Sequence, residues 1–305
     1  MADHECNCNG QGCESGQGCS CDGGQGCAGT PDPPHKNDAK SPEKPDLRSD
    51  KLRERLGHIT HKVLVLSGKG GVGKSTVAAN LALALALEGR QVGLLDVDIH
   101  GPSIPKLLGL EGSPVTHEAG DIVPVELGTL KVMSIGFLLR SPDDAVIWRG
   151  PMKMGVIQQF LEQVIWGDLD WLVIDCPPGT GDEPLSVAQL IPDADGAVIV
   201  TTGQELSIVD VRKCVNFCRQ VKMPVLGVIE NMSGFVCPHC GKMSEIFPTG
   251  GGERMAAQMG VRFLGSVPID PRLALAGDAG EPFLHRYADS PAAVAMRGAI
   301  DRLLE

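Results

Sequence analysis

Ten consecutive residues, Ser67-Gly68-Lys69-Gly70-Gly71-Val72-Gly73-Lys74-Ser75-Thr76, carry the most specific chemistry in this chain. From Gly68 through Ser75 they fit the phosphate-loop pattern G-x-x-x-x-G-K-S/T, with a second lysine at position 69. Small residues let backbone N–H groups curl around phosphate oxygens, and the start of a helix adds a favourable dipole. Lys74 is placed to contact the β- and γ-phosphates, and the Ser75 hydroxyl to hold Mg²⁺. The motif needs a strand before it and a helix after it. The apolar run 63–66 and the helical stretch 76–87 supply both.

Acids follow at two further strand ends. The run Leu94-Leu95-Asp96-Val97-Asp98-Ile99-His100-Gly101-Pro102 ends in two carboxylates, and alternation predicts them on one side of the strand at its carboxyl end. An aspartate there can hold a magnesium-bound water or orient the attacking water. A later run, Trp171-Leu172-Val173-Ile174-Asp175, leads into Cys176-Pro177-Pro178-Gly179-Thr180-Gly181-Asp182. An acid ending an apolar strand before a glycine loop suits a Walker B aspartate and a γ-phosphate sensor, with the Gly179 N–H as the candidate group.

A second kind of chemistry lies in the cysteines. Cys237-Pro238-His239-Cys240-Gly241 brings two thiolates to one metal. Two ligands complete neither a tetrahedral site nor a four-cysteine cluster. Either another chain supplies two more or the pair is redox-active; a thioredoxin-like dithiol and half a zinc ribbon are the competing readings. The N-terminal segment repeats itself: Cys6, Cys8 and Cys13 are echoed by Cys19, Cys21 and Cys27, each unit a C-x-C followed by a more distant cysteine. Six thiols can hold a 4Fe–4S cluster with two to spare, or thiolate-bridged zinc; the segment can equally be a disordered tail. Cys214 and Cys218, four apart in register with Val211, Val215 and Val221, read as a core stripe, and Cys176 as packing. His100 lies next to the acids with no evident ligand partners.

The elements that position these residues read as three regions. Residues 1–35 hold six cysteines, eight glycines and no Lys or Arg, so they cannot build a hydrophobic core and are metal-organised or disordered. Residues 36–57 read as a charged, proline-bearing linker with a short helix near 52–56. Residues 58–305 form the nucleotide-binding domain. There, strand candidates at 63–66, 92–97, 171–175, 197–201, 225–229 and 263–267 alternate with helix candidates at 76–87, 152–165, 184–190, 207–221, 253–259 and 292–304. This pattern predicts an α/β fold: a mostly parallel sheet with helices on both faces and ligands at the carboxyl ends of the strands. Residues 120–136 read as a small hairpin insertion.

Bulk properties bound the partners. The net charge of −11 disfavours nucleic acid as a partner. No apolar stretch reaches 18 residues and no signal segment opens the chain, so no membrane partner and a cytoplasmic location are expected. Reduced thiols in that compartment favour metal ligation over disulfides.

The combined motifs resemble a known family. Lys69-Gly70-Gly71-Val72-Gly73-Lys74-Ser75 is similar to the deviant Walker A loop of the MinD/ParA/nitrogenase-reductase class of P-loop ATPases. Asp96-Val97-Asp98-Ile99-His100-Gly101-Pro102-Ser103, Asp175 through Asp182, and Glu230-Asn231-Met232-Ser233 resemble the Mrp/ApbC-type iron–sulfur cluster carriers over roughly residues 50–305. The resemblance implies a homodimer that binds ATP with Mg²⁺. In it Lys69 reaches the partner's nucleotide, Asp96 and Asp98 serve magnesium and water, Asp175 is the Walker B acid, and Asn231 reads the adenine edge. It further implies that Cys237 and Cys240 of two protomers bridge a labile 4Fe–4S cluster, received from a donor protein and passed to apo iron–sulfur proteins. The family's N-terminal clusters use a different cysteine spacing from this tail. A positioning or partitioning ATPase and a low-potential electron-transfer reductase remain as alternatives. The former often needs a basic amphipathic tail, which the ending Met296-Arg297-Gly298-Ala299-Ile300-Asp301-Arg302-Leu303-Leu304-Glu305 does not provide.

Overall fold

The computed structural model describes residues 49–139, 150–237 and 239–305. The six tail cysteines, residues 1–35 and most of the segment read as a linker lie outside the described residues. In chain order the elements are α1 (Asp50–Gly57), β1 (Ile59–Ser67), α2 (Lys74–Leu87), β2 (Val92–Asp96), α3 (Ile104–Leu107), β3 (Thr116–Glu118), β4 (Asp121–Val123), β5 (Val125–Leu127), β6 (Leu130–Ser134), α4 (Gly150–Gln163), β7 (Leu169–Asp175), α5 (Asp182–Leu190), β8 (Gly196–Thr201), α6 (Glu205–Gln220), β9 (Val225–Val236), β10 (Met243–Ser244), α7 (Gly251–Met259), β11 (Phe263–Ile269), α8 (Pro271–Ala279), α9 (Phe283–Arg286) and α10 (Pro291–Leu304).

Among the described residues nine strands make one sheet in the order β10-β9-β8-β1-β7-β2-β6-β5, with β11 also paired to β9. Its centre is parallel, and among the described strands only β5 and β10 run antiparallel to their neighbours. Alternation along β1 sends Val63 and Val65 into a core with α2 and α10, and Leu64 and Leu66 into a second core with α1, α4 and α6. Strands covered on both faces read as continuous apolar runs, as these do. In α2, nine of fourteen residues are buried. Its alanines let it lie close against the sheet, and its apolar character runs all round, as a buried helix requires.

Parallel register decides what meets at the top of the sheet. Val65 pairs with Asp175, Asp175 with Asp96, and Asp96 with Ser134, so β7, β2 and β6 finish level at their carboxyl ends and β1 runs on to Ser67, where the phosphate loop begins. Ligands of open α/β sheets bind at this edge.

Three readings change. The hairpin expected within residues 120–136 exists as β5 and β6, but it is no insertion: β6 joins the main sheet parallel to β2, and β4 pairs instead with β3 in a separate two-stranded sheet. The β9 strand continues through 230–236 past its expected end, because Met232 (φ 57°) and Gly234 (φ 78°) absorb its turns without ending the pairing. The short helix expected near 52–56 is there as α1, but it belongs to the core rather than to a linker, with Leu52 and Leu56 buried. Ser49 caps it by accepting from the Leu52 N–H and donates to Glu162 on α4 at 2.6 Å. Its Lys51 and Arg55 pair with Asp121 on β4.

Candidate nucleotide site and cysteine knuckle

The phosphate loop leaves β1 at Ser67 and turns through Gly71 (φ 77°) and Gly73 (φ 81°) into α2. Gly68 is required by space. A Cβ there would stand 2.5 Å from the Asp210 carbonyl carbon and 2.7 Å from the Val211 nitrogen, both backbone atoms of α6. The loop borders a cavity of about 250 Å³ lined by Lys69, Gly70, Lys74, Ser75, Asp98 and Pro178. Gly71, Gly73 and Thr76 also line it, and Val72 is buried beneath.

Lys74 and Asp175 form a buried ion pair at 2.6 Å, with the Ser75 hydroxyl 3.3 Å from the Lys74 ammonium. Burial works to lower the Lys74 pKa, but the Asp175 charge and hydrogen bond outweigh it, and Lys74 stays above its ordinary value. The second Asp175 oxygen, Oδ2, is buried with no hydrogen-bond partner. An orphaned carboxylate oxygen beside a serine hydroxyl and a phosphate loop fits a hard divalent cation such as Mg²⁺.

The structure separates Asp96 from Asp98. Strand β2 ends at Asp96, so the alternation does not extend to Asp98. Asp96 is fully buried, and its oxygens accept from the Asp98 N–H, the Ile104 N–H and the Ser134 hydroxyl at 3.1, 3.3 and 2.9 Å. It therefore shapes the 98–104 loop from behind, while Asp98 lines the cavity. Burial first, and the Asp175 charge second, push Asp96 up to about 8. Ser134 has no sequence signal of its own: only the pairing of β6 with β2 brings its hydroxyl to Asp96.

Two other candidates make backbone contacts. The Gly179 N–H donates to the Ser67 carbonyl at 2.8 Å. Asn231, buried on β9, donates its amide to the Val72 carbonyl at 2.9 Å, and so ties the phosphate loop to the strand that runs on to Cys237. Next to it, the fully buried Glu230 accepts from the Gly250 and Gly252 N–H groups at 2.9 and 2.6 Å and seats α7. The run Thr249-Gly250-Gly251-Gly252 was the sequence signal for that seat.

Cys237 and Cys240 sit where the β9–β10 hairpin turns. Val236 pairs with Met243, the Cys237 N–H donates to the Lys242 carbonyl, and the Gly241 N–H donates back to the Cys237 carbonyl. Cys237 is half-buried and Cys240 exposed. The His239 backbone, then the Cys240 backbone and side chain, hold the Cys237 thiol below its ordinary pKa, which favours the thiolate that binds metal. A cavity of about 410 Å³ opens beside Cys237, walled by Val236, Ile269, Pro271 and Arg272. Among the described residues, no group of three or more His, Cys, Asp or Glu side chains could hold a metal. Cys176, Cys214 and Cys218 are buried. Burial pushes the Cys176 thiol up, and the Cys218 hydrogen bond followed by burial pushes up Cys214, so both are neutral packing groups.

A phosphate loop after β1, acids ending β2 and β7 and a second lysine, Lys69, five residues ahead of Lys74 define a P-loop NTPase of the MinD/ParA type. The MinD cell division ATPase of Pyrococcus furiosus shares the fold, with a TM-score of 0.59 and 22% identity over 80% of this chain and 98% of that one. The chain belongs to the ParA-type family described as NUBPL iron-transfer P-loop NTPase, which residues 58–304 match. It is 49% identical over 274 residues, 89% of this chain and 94% of the relative, to the iron-sulfur cluster carrier protein of Methanocaldococcus jannaschii. It is 44% identical to a nucleotide-binding protein from Archaeoglobus fulgidus solved with ADP, with a TM-score of 0.68 over 76% of this chain and 91% of that one. Among the described residues, no helix is long and apolar enough to cross a membrane.

Proposed function

We propose that this chain is an ATP-hydrolysing carrier of a labile 4Fe–4S cluster. The cluster is held between the Cys237 and Cys240 pairs of two copies, received from a donor protein and passed to apo iron–sulfur proteins. The observation that carries this reading is the knuckle itself. It offers two accessible thiols, one of them biased to thiolate by backbone N–H groups, and no third ligand among the described residues. A four-iron cluster needs four thiolates, so two knuckles meet the deficit. Half-exposed ligands also leave room for a recipient's thiols to displace them. The iron-sulfur cluster carrier name of the 49% identical relative points the same way.

The nucleotide half follows from the loop. Lys74 contacts the β- and γ-phosphates once they compete with Asp175 for its ammonium, and Lys69 reaches across the dimer to the partner's nucleotide. Ser75 and Asp175 would hold Mg²⁺, whose charge offsets that of the phosphates. Asp98, at the cavity wall, orients the attacking water, and Asp96 holds the loop that carries Asp98. Asn231 reads the adenine edge. The tail cysteines bind further metal. Its net charge of −11 argues against a nucleic-acid partner, and on this reading the carrier works in the cytoplasm without a membrane partner.

Anaerobic reconstitution tests this reading. About four iron and four sulfide per dimer of a chain lacking the tail are expected. The Cys237→Ala, Cys240→Ala double variant keeps ADP binding but loses the cluster and its transfer to an apo-acceptor. Wild-type delivery by that variant would remove the carrier reading.

A further inference from the structure

Lys153, on the first turn of α4, reaches both loops that flank the phosphate cavity. Its ammonium donates to Glu183 Oε1 at 2.5 Å and lies 2.7 Å from His100 Nε2. Both members of the ion pair are largely buried, with side chains 15% and 14% exposed. Burial works to raise the Glu183 pKa, but the Lys153 hydrogen bond, with backbone and charge contributions behind it, holds the carboxyl below its ordinary range. An ammonium has three donors and no acceptor, so one lysine can bind a carboxylate and an imidazole lone pair together.

The two partners belong to different segments, His100 to a loop and Glu183 to the first turn of α5. His100 lies inside the turn that Asp98 closes by accepting the Gly101 N–H at 3.2 Å. Asp98 in turn lines the phosphate cavity. Glu183 is the second residue of α5, directly after the loop in which Pro178 lines the same cavity and Gly179 donates to Ser67. The 98–103 loop hangs from β2, the 176–181 loop from β7, and Lys153 comes from a third element packed against α5. Strand pairing ties the two loops only at their bases among the described residues, through the paired Asp96 and Asp175 and the Val97 N–H donating to the Asp175 carbonyl at 3.0 Å.

We propose that Lys153 is a positioning residue for nucleotide hydrolysis: by holding His100 and Glu183 at once, it sets the distance across the phosphate cavity between the Asp98 turn and the Gly179 loop. The role rests on the hydrolysis assigned above, and it belongs to the turnover step rather than to nucleotide capture. Phosphates are gripped by the Gly68–Thr76 loop, which Lys153 does not touch. Asp98 and the Gly179 loop face the terminal phosphate only when both are held at the right separation, and small displacements of such groups cost orders of magnitude in rate.

The test is steady-state ATP hydrolysis by the full chain, with ADP affinity and melting temperature measured on the same preparations. Lys153→Met is expected to lower kcat about tenfold while KM and ADP affinity stay within about twofold. Lys153→Arg, which keeps charge and reach, restores most of the rate. Glu183→Gln also lowers kcat, and the Lys153→Met, Glu183→Gln double variant loses no more than Lys153→Met alone, because both changes break one bridge. A kcat within twofold of the unmodified chain in Lys153→Met overturns the proposal. So does a rate loss matched by equal losses in ADP affinity and melting temperature, which marks a purely structural contact. An unmodified chain that binds ATP without turnover overturns the hydrolysis reading as well, and the two failures are told apart by that control.

Discussion

Lys74 and Lys69 bear the same charge five positions apart and face different surroundings. Lys74 is buried against Asp175, so Lys74→Ala strips a phosphate contact and also leaves a carboxylate in the interior without its counter-charge. ADP affinity is expected to fall at least a hundredfold by calorimetry, with a loss of about 3 kcal/mol or more in folding stability. Lys69 sits half-buried at the cavity edge. Lys69→Ala should bind ADP almost normally yet release phosphate slowly, because its target is the partner's nucleotide; full turnover would refute that assignment. Asp96 sets a pH dependence. Its folded-state value near 8 lies above the unfolded 3.8, so the folded chain binds that proton more tightly. Its contribution is complete below the unfolded value and is lost as pH rises towards 8. Chelator-treated, nucleotide-free protein should therefore lose stability between pH 5 and 8, by roughly 1 kcal/mol per pH unit from this group. Asp96→Asn should flatten that slope in urea titrations, and an unchanged slope would place the proton elsewhere.

Strand β9 is the element that joins the two chemistries. Asn231 holds the phosphate loop at one point along it, and Cys237 follows its last residue. Between them Gly234 takes φ 78° and packs under Met243; a Cβ there would stand 2.7 Å from the Met243 sulfur. Gly234→Ala should therefore disturb the β9–β10 hairpin, and iron incorporation at the knuckle should drop severalfold while ADP affinity holds. Equal iron content in the variant would show that the hairpin geometry does not matter to the cluster. The parallel strands and long helices were legible in the sequence, because buried strands are continuous apolar runs and helices close with caps or glycine. The cysteine pair stands out by its spacing and Asn231 only through the family resemblance, and their joining by one strand does not show, since Met232 and Gly234 look like a strand's end. Strand β6 was misread for a related reason: a short run after a turn does not show whether it pairs with β5 alone or also with β2. Lys153, Glu183 and Ser134 carry no motif. Only the fold brings them to the residues behind and beside the cavity wall, Ser134 to Asp96 and the Lys153–Glu183 pair to His100.

Across the whole molecule, the boundary between appendage and core falls inside what composition marks as linker. Residues 49–57 are charged and carry few apolar side chains, yet Leu52 and Leu56 are buried completely or nearly so. Spaced four apart, they put one stripe of a short helix against α4 and β1, and the Ser49 cap and the Asp121 ion pairs fix its pose. Two truncations separate the readings. Deleting residues 1–48 removes no described core residue, so melting temperature and ADP affinity should match those of the full chain. Deleting residues 1–57 also strips two buried leucines, each contributing about 1.5–3 kcal/mol, and should lower stability by several kcal/mol in urea titrations. The first deletion also assays the tail cysteines. If they bind metal, iron or zinc in the shorter chain falls to what the Cys237 and Cys240 knuckle alone retains. Equal metal content in the full chain and the 1–48 deletion would confine metal binding to the knuckle. Equal stability of the two truncated chains would mean that α1 is not part of the core.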